Sequence, residues 1–326
     1  MHRRDAVLAL ISLGAAIASP AAWTQSRRVR IGYIAPRKSS VFLPSVLKRL
    51  AELGYVEGKN LTVEYRSADG DINRFAPLSR ELITAKCDVI YAVGTEHPAQ
   101  ALVEAKTTIP IVLIAVTYDP VKVGLVPNLR RPGGNITGMF APLPELAAKH
   151  VELMRQSLPE VKRFLVLADT LSGTGDQLPN VQTAAKRLGV EVIAEVFTTP
   201  PPFDLERALA RASAAGAGGA IVLDSASFFD QRAKLGELLM KYKLPAVVNV
   251  HYFDTPTFVF SYGANFHTAF ARAGDMAARI LNGTKPGEIP IEQPTEFELA
   301  VNLKTAKTLG ISIPGPVLAR ANRIIE

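Results

Sequence analysis

Hydroxyl, carboxylate and aromatic side chains recur in short loops along both halves of this 326-residue chain. Each loop follows a short apolar run and precedes a segment with helical periodicity. Such groups can donate to an acid, accept from an amine and form an apolar wall, so they suit a small polar molecule. The residues that we assign to this predicted site are Ser39, Ser40, Phe42, Gly94, Thr95, Glu96, His97, Thr117, Tyr118, Asp119, Asp169, Thr170, Asp224, Ser225, Asn249 and Tyr252.

The predicted roles follow from side-chain chemistry, and an amino acid or a related carboxylate would use all of them. The hydroxyl groups suit the acid group of such a solute and are Ser39, Ser40 and Thr95. The carboxylates suit an amine and are Glu96, Asp119 or Asp224. The rings suit the body of the solute and are Phe42, Tyr118, Phe228 or Tyr252. The same Ser, Thr and Asp positions equally favour simple helix N-caps, so both interpretations stay open.

A catalytic role for these residues is a further interpretation, which the sequence disfavours. Ser39, His97 and Asp119 could be combined into a nucleophile, base and acid. However, the sequence has no G-x-S-x-G elbow, no HExxH, no pair of CxxC motifs and no P-loop lysine motif. Gly133-Gly134 precedes a strand-like run rather than a helix, so it does not form a dinucleotide fingerprint. We therefore predict no catalytic residue, no metal site and no cofactor.

Charge composition argues against a nucleic-acid partner. The net charge is +7 and the isoelectric point is near 9.5. However, the 37 basic residues are scattered among 30 acidic ones. Neither a basic stripe nor an aromatic RNA-reading motif is present, so the charge is typical of a solvated surface.

The amino-terminal segment has the pattern of a secretory signal. Arg3-Arg4 precedes an apolar run at 6–17, and small residues follow at 19–22. The apolar run is too short to span a bilayer, and no later segment is long and apolar enough. We predict a cleaved signal peptide at residues 1–25, by the general secretory or the twin-arginine route, and a periplasmic location.

The single cysteine is interpreted as a structural residue. Cys87 lies far from the predicted cleavage site, so it cannot carry a lipid there, and it has no partner for an internal disulfide. It lies at a predicted junction between a helix and a strand. A packed thiol is therefore favoured over a reactive one.

Short β-branched runs alternate with helical segments along the whole chain. The predicted strands are 29–35, 61–66, 88–93, 111–116, 163–168, 191–197, 220–223 and 246–250. The predicted helices are 41–54, 71–85, 98–106, 146–157, 177–188, 204–214, 229–242 and 265–281. This alternation favours parallel sheets with helices on both faces. About 300 mature residues exceed one typical core, which predicts two Rossmann-like α/β lobes.

Three crossovers are predicted to join the lobes. Strand-like segments near 132–138, 257–261 and 296–302 could each carry the chain from one lobe to the other. The first lobe then comprises 27–138 plus 262–290, and the second comprises 139–261 plus 291–326. Ligands of open α/β sheets bind beyond the carboxyl ends of the strands, which is where the chemistry-bearing loops lie.

Several motifs carry a family resemblance. They are VRIGYI at 29–34, LGYVEGKN at 53–60, EYR at 64–66, IPIV at 109–112, DPV at 119–121, RPGGNITG at 131–138 and FELAVNLKTAK at 297–307. Together they resemble the ABC transporter substrate-binding family that includes tryptophan- and tyrosine-binding receptors. The resemblance extends over nearly all of the mature chain.

The resemblance implies a type I periplasmic binding protein that encloses a small-molecule solute and delivers it to the membrane permease of an ABC importer. It also implies that the solute contacts the loops at 39–40, 94–98, 117–119, 169–172 and 224–227. Glu96 and His97 are bulkier than the small residues common in that loop, which indicates a basic or polar solute or a different pose. We expect a monomer. A periplasmic sensor for a signalling partner is the alternative.

Overall fold

The computed structural model describes residues 28–38, 42–170, 177–252 and 255–326. The predicted signal peptide and the predicted site residues Ser39 and Ser40 lie outside these ranges. The described chain forms two sheets, one of five strands and one of seven, each covered by helices. No helix in these ranges is long and apolar enough to cross a membrane.

The first sheet is parallel throughout and has the strand order β2-β1-β3-β4-β5. Its strands are β1 (Val29–Ala35), β2 (Leu61–Ser67), β3 (Val89–Gly94), β4 (Ile111–Ala115) and β5 (Ile136–Phe140). Its helices are α1 (Leu43–Glu52), α2 (Phe75–Thr84), α3 (His97–Glu104) and α9 (Phe266–Leu281). Strands β3 and β4 are almost entirely buried, as expected for a parallel sheet covered on both faces.

The second sheet has the strand order β12-β11-β10-β9-β8-β6-β7. Its strands are β6 (Arg163–Asp169), β7 (Glu191–Phe197), β8 (Ala220–Val222), β9 (Ala246–Val248), β10 (Phe260–Ala264), β11 (Phe297–Asn302) and β12 (Arg323–Ile325). Its helices are α4 (Leu143–Ser157), α5 (Gln177–Leu188), α6 (Leu205–Ala214), α7 (Ala226–Asp230), α8 (Arg232–Lys241), α10 (Leu303–Thr308) and α11 (Gly315–Leu318).

One strand pair departs from the predicted parallel arrangement. Strand β11 runs antiparallel to β10, with Tyr262 opposite Leu299. The chain leaves the second sheet after β10, forms α9 on the first lobe and then returns at the end from which it left. A strand that re-enters a sheet at the end where its neighbour finished must run in the opposite direction.

The chain passes between the lobes at three places, as predicted. It passes at 141–142 after β5, at 265 before α9, and at 293–296 before β11. Before the third passage, the backbone N–H of Glu292 donates to the carbonyl of Gly138 at 2.9 Å, beside β5. Strands β5 and β10 pair with strands of their own sheets, so the chain passes between the lobes on the connections after them. Each passage lies a few residues beyond the predicted lobe boundaries. Those boundaries remain a prediction.

The helix predicted at 229–242 is two helices, α7 and α8, which meet at Gln231. The hydroxyl of Ser225 accepts from the N–H of Phe228 and so begins α7 earlier than predicted. The side-chain amide of Gln231 accepts from the N–H of Phe203 and donates to the carbonyl of Ser227. These bonds hold the break between the helices, and helical periodicity cannot reveal them.

Cys87 packs where it was predicted, between α2 and β3. Its neighbours in the apolar cluster include Leu82 and Ile90. Burial raises the pKa of the thiol to about 11, which keeps it protonated and unreactive at neutral pH. The prediction of a packed structural thiol is confirmed.

Candidate functional site

A cavity of about 430 Å³ lies between the two lobes. Its lining comes from the loops after β1, β2, β3 and β4 of the first sheet and after β8 and β9 of the second, together with α9. These loops follow the carboxyl ends of parallel strands, where ligands of α/β sheets bind. The volume falls within the range of small-molecule sites.

Six of the predicted site residues line this cavity, and eight described ones do not. Those that line it are Phe42, Gly94, Thr95, Thr117, Asp224 and Ser225. Those outside its lining are Glu96, His97, Tyr118, Asp119, Asp169, Thr170, Asn249 and Tyr252. Because Glu96 and His97 are outside the lining, they give no reason to expect a basic solute.

Several residues outside the lining have structural roles instead. The carboxylate of Asp119 accepts from the N–H groups of Val121 and Lys122 and so closes a turn, with no helix following it. The ring of His97 stacks on that of Phe75 at 6.3 Å. Tyr118 is buried, and burial raises the pKa of its phenol.

Other lining residues were not among the predicted ones. They are Tyr33, Ala35, Pro36, Arg37, the residues of the loop after β2 from Ala68 to Ile72, Phe75, Val93, Val116, Pro200, Pro201, Phe229, Asp230, His251, Phe266 and Phe270. Ala226 and Ser227 also line the cavity and lie in the loop at 224–227 that the family resemblance implied. The rule that ligands bind beyond the carboxyl ends of strands could have identified the loop after β2 and also His251, which follows β9. No sequence signal points to Phe266 and Phe270, because α9 reaches the site only through a crossover.

Five aromatic rings lie in the wall that the first lobe and α9 contribute: Tyr33, Phe42, Phe75, Phe266 and Phe270. Phe42 packs against Phe270 and Phe266 at 4.9 and 5.6 Å between ring centroids. Tyr33 stacks on Tyr65 at 5.3 Å. The hydroxyl of Tyr65 donates to the carbonyl of Arg37 at 2.7 Å and so holds the loop after β1. Burial raises the pKa of Tyr65 to about 12, which keeps this donor protonated.

The loop between β3 and α3 brings backbone groups to the cavity. Gly94 has φ +97°, and a Cβ at this position would come within 3.0 Å of Pro36, so the two loops approach closely only because the residue is glycine. Thr95 follows at the start of α3, where the first N–H groups of a helix have no intrahelical acceptor. This arrangement suits the acid group of a solute.

Hydrogen bonds order the wall that the second lobe contributes. The carboxylate of Asp224 lies 3.1 Å from Nε2 of His251 and accepts from Nδ2 of Asn249 at 3.0 Å. The side chain of Gln177 pairs with the backbone N–H and carbonyl of Asp224. Asp224 is therefore held by groups from α5 and from the segment after β9.

Tyr252 supports the same wall from beneath. Its hydroxyl donates to the carbonyl of Ser225 at 2.8 Å and accepts from the N–H of Ser225 at 3.3 Å. Burial raises the pKa of Tyr252 well above its ordinary value. Asn249 and Tyr252, although outside the lining, therefore position the residues that form it.

Two contacts join the lobes beside the cavity. Nε of Arg37 lies 3.2 Å from the carboxylate of Asp230 on α7, and Nη2 of Arg37 donates to Ser227 at 3.4 Å. The ring of His251 also meets Phe42 and Phe266, at 5.6 and 5.1 Å. The lobes are thus in contact across the site.

The described cavity residues include two with a buried polar side-chain atom that has no hydrogen-bond partner. They are Thr117, through Oγ1, and His251, through Nδ1. Within the described ranges, no group of three or more His, Cys, Asp or Glu side chains could hold a metal ion. The site offers hydrogen bonds and apolar walls.

Two α/β lobes, three connecting segments and an enclosed cavity define a solute-binding protein of the type I periplasmic fold. The chain belongs to the ABC transporter substrate-binding protein family, whose sequence model matches residues 43–325. Both the predicted fold class and the predicted family are confirmed. The chain is therefore the substrate-binding protein of an ABC transporter.

Similar proteins are known from several bacteria. The chain is 26% identical to the tyrosine-binding protein of Clostridioides difficile over 265 residues, which are 81% of this chain and 74% of that protein. It matches a conserved domain protein of Vibrio cholerae with a TM-score of 0.81 and 27% identity, over 91% of this chain and 100% of the other. It matches the ABC domain of Streptococcus pneumoniae in complex with L-Trp with a TM-score of 0.79 and 24% identity, over the same shares.

Proposed function

We propose that this protein is a periplasmic receptor for an amino acid or a related aromatic carboxylate, which it delivers to the permease of an ABC importer by lobe closure. The observation that carries the proposal is the cavity of about 430 Å³ with walls from both lobes. A solute that contacts both walls stabilises the closed form, because only there can it make both sets of contacts.

The chemistry of the two walls supports an acid with an aromatic or branched body. The loop between β3 and α3 offers N–H groups and Thr95 for the acid group, and the rings of Phe42 and Phe270 suit the body. The second wall holds the acceptors, with Asp224 at its centre. Similar proteins that bind tyrosine or hold L-Trp are consistent with this class of solute.

The remaining parts of the proposal concern the partners and the location. We propose that the mature chain is exported, acts as a monomer and presents the closed lobes to the permease. Its predicted cleavable signal and its single buried cysteine support export without a lipid at that cysteine. Size-exclusion chromatography with light scattering, on protein prepared from the periplasm, measures the oligomeric mass, and mass spectrometry of the same protein identifies the processed amino terminus.

The proposal is tested by a thermal-shift screen over amino acids and aromatic carboxylates, followed by calorimetry of each positive compound. A ligand that binds only the folded state raises the melting temperature. Small-angle scattering then measures compaction, and we expect a smaller radius of gyration with the bound acid. Binding without compaction, or no binding by any acid, would contradict the proposal.

A matched pair of variants locates the binding site. Phe42→Ala removes a ring from the cavity wall and is expected to weaken binding about tenfold or more, because the lost apolar contact is about 2 kcal/mol. Tyr118→Phe removes a buried hydroxyl that has no partner within the described residues and that lies outside the lining. We expect Tyr118→Phe to bind as the wild type does, and equal losses in both variants would place the site elsewhere.

A further inference from the structure

We infer that His251, which belongs to the second lobe, contacts the solute directly. Its Nδ1 atom accepts a hydrogen bond from a hydroxyl or ammonium group of the bound acid. This inference rests on the proposed function and names a specificity-determining residue within it. The predicted residues did not include His251, whose position follows β9 by three residues.

The surroundings of His251 point to a ligand. The side chain is 8% exposed and lines the cavity. Its Nδ1 atom is buried and has no hydrogen-bond partner within the described residues. Native proteins rarely leave a buried polar atom unpaired, because it has lost its water without a replacement. A solute group at Nδ1 would supply the missing partner.

The other ring nitrogen decides which way that bond runs. Nε2 lies 3.1 Å from the carboxylate of Asp224. An ionised carboxylate only accepts, so Nε2 carries the hydrogen. In the neutral ring, Nδ1 then presents a lone pair. Nδ1 is therefore an acceptor, and the solute must donate.

The ring is held in place before the solute arrives. Asp224 is itself fixed by Asn249 and Gln177. The faces and edges of the imidazole contact Phe229 at 5.2 Å and Phe266 at 5.1 Å between ring centroids. A donor that meets Nδ1 therefore gains a bond without having to order the side chain first, which favours selectivity.

The first lobe presents a counterpart. Oγ1 of Thr117 is also buried, lines the same cavity and has no partner in the described part of the chain. A hydroxyl can donate to the acid group of a solute, whereas Nδ1 of His251 accepts from a donor. The class of solute that satisfies both atoms is an acid with a hydroxyl or ammonium group on the same molecule.

The inference is tested with two pairs of acids that differ by one donor. One pair is 4-hydroxybenzoate and benzoate, and the other is L-phenylalanine and 3-phenylpropanoate. Calorimetry with the wild type is expected to show that the donor-bearing acid of at least one pair binds about tenfold to a hundredfold more tightly, because its partner leaves Nδ1 unpaired. His251→Phe keeps a ring of similar size, and we expect it to bind both acids of that pair equally.

Two further variants separate the acceptor from the ring. His251→Asn retains an amide group near the position of Nδ1, and we expect it to keep part of the preference. His267→Phe replaces an exposed histidine that lies outside the lining, and we expect it to keep the whole preference. If folded His251→Phe still binds the donor-bearing acid more tightly than the acid without the donor, the inference is wrong.

A measurement on the wild-type protein covers the case in which His251→Phe does not fold. Nitrogen-15 spectra of the histidine rings, recorded with and without the tighter acid, are expected to show one Nδ1 that stays unprotonated and shifts on binding. A protonated Nδ1 in the complex, or no shift, overturns the inference. If both acids of each pair bind equally, this inference alone falls, whereas no binding by any of the four overturns the proposed function as well.

Discussion

The two walls of the cavity are built in different ways. The wall from the first lobe and α9 carries five aromatic rings, and Phe42 packs against both Phe266 and Phe270. The wall from the second lobe is a hydrogen-bonded network in which Asp224 is held by Asn249 and by His251. One wall is shaped by packing, whereas the other is shaped by directional bonds.

The difference indicates how selectivity is divided between the lobes. Apolar contacts depend on size and tolerate many bodies, so the first wall limits the shape of the solute. Hydrogen bonds require a partner of the right kind, so the second wall selects its polar groups. In the proposed mechanism, closure of the lobes brings both sets of contacts to the solute.

The largest expected effect is a disruption of the first lobe. Gly138 in β5 has φ +147°, and a Cβ there would lie 1.9 Å from the carbonyl oxygen of Leu113 in β4. Backbone atoms in a buried strand cannot move aside, so Gly138→Ala is expected to lower the free energy of unfolding by about 3 kcal/mol or more. Urea denaturation measures this loss. Gly315→Ala, where a Cβ meets nothing within 4 Å, serves as the control and should be near neutral.

The next effect is a loss of binding at the second wall. Asp224→Asn replaces a buried acceptor of His251 and Asn249 with an amide, so one of these two donors loses its partner. We expect the solute affinity to fall about tenfold to a hundredfold, because an unpaired buried group costs about 1–3 kcal/mol. Calorimetry measures this change. Asp119→Asn keeps an oxygen that can accept from the loop, and its affinity should stay within twofold of the wild type.

The contact between the lobes is expected to have a smaller effect. Arg37 and Asp230 are 27% and 33% exposed, and such pairs contribute about 0.2–1 kcal/mol. Arg37→Gln and Asp230→Asn should each weaken solute binding by at most about fivefold, with less difference at high salt. Calorimetry at low and high salt measures this. If Arg37→Gln alone weakens solute binding more than fiftyfold, Arg37 binds the acid group directly. The first wall would then select the polar groups of the solute as well as its shape.

The smallest expected effect is that of Asp224→Asn on the alkylation of Cys87, which reports on the first lobe alone because the chain has no other cysteine. Burial raises the pKa of its thiol to about 11, so little thiolate exists at pH 8. Alkylation of the native protein should be about two orders of magnitude slower than that of the unfolded chain, and should accelerate as the pH rises towards 11. Asp224→Asn should leave this rate unchanged. A faster rate in that variant would show that damage to the second wall spreads into the first lobe.

Much of the fold could be predicted because its signals are local. Strands β1 and β7 and helix α5 begin and end at the predicted residues, since their apolar spacing and flanking turns lie within a few positions. The break between α7 and α8 could not be predicted. It depends on bonds from Gln231 to Phe203 and Ser227, which no helical pattern contains.

The site was predictable in outline. The rule that ligands bind beyond strand ends identified loops that contribute Thr95, Thr117 and Asp224 to the lining. It could not separate the side chains that face the cavity from those that bond to the backbone of their own turn, as Asp119 does. Both kinds of residue occupy the same loops and have the same chemistry.

The sequence by itself determined the two α/β lobes, several of the loops that border the cavity and the family. Periodicity and turn residues are properties of neighbouring positions, so they can be read along the chain. Only the tertiary structure decided that Arg37 meets Asp230 and that His251 is oriented by Asp224 with one nitrogen left for a partner. Those contacts join residues from separate elements, and their geometry exists only when both sheets are packed and the lobes face each other.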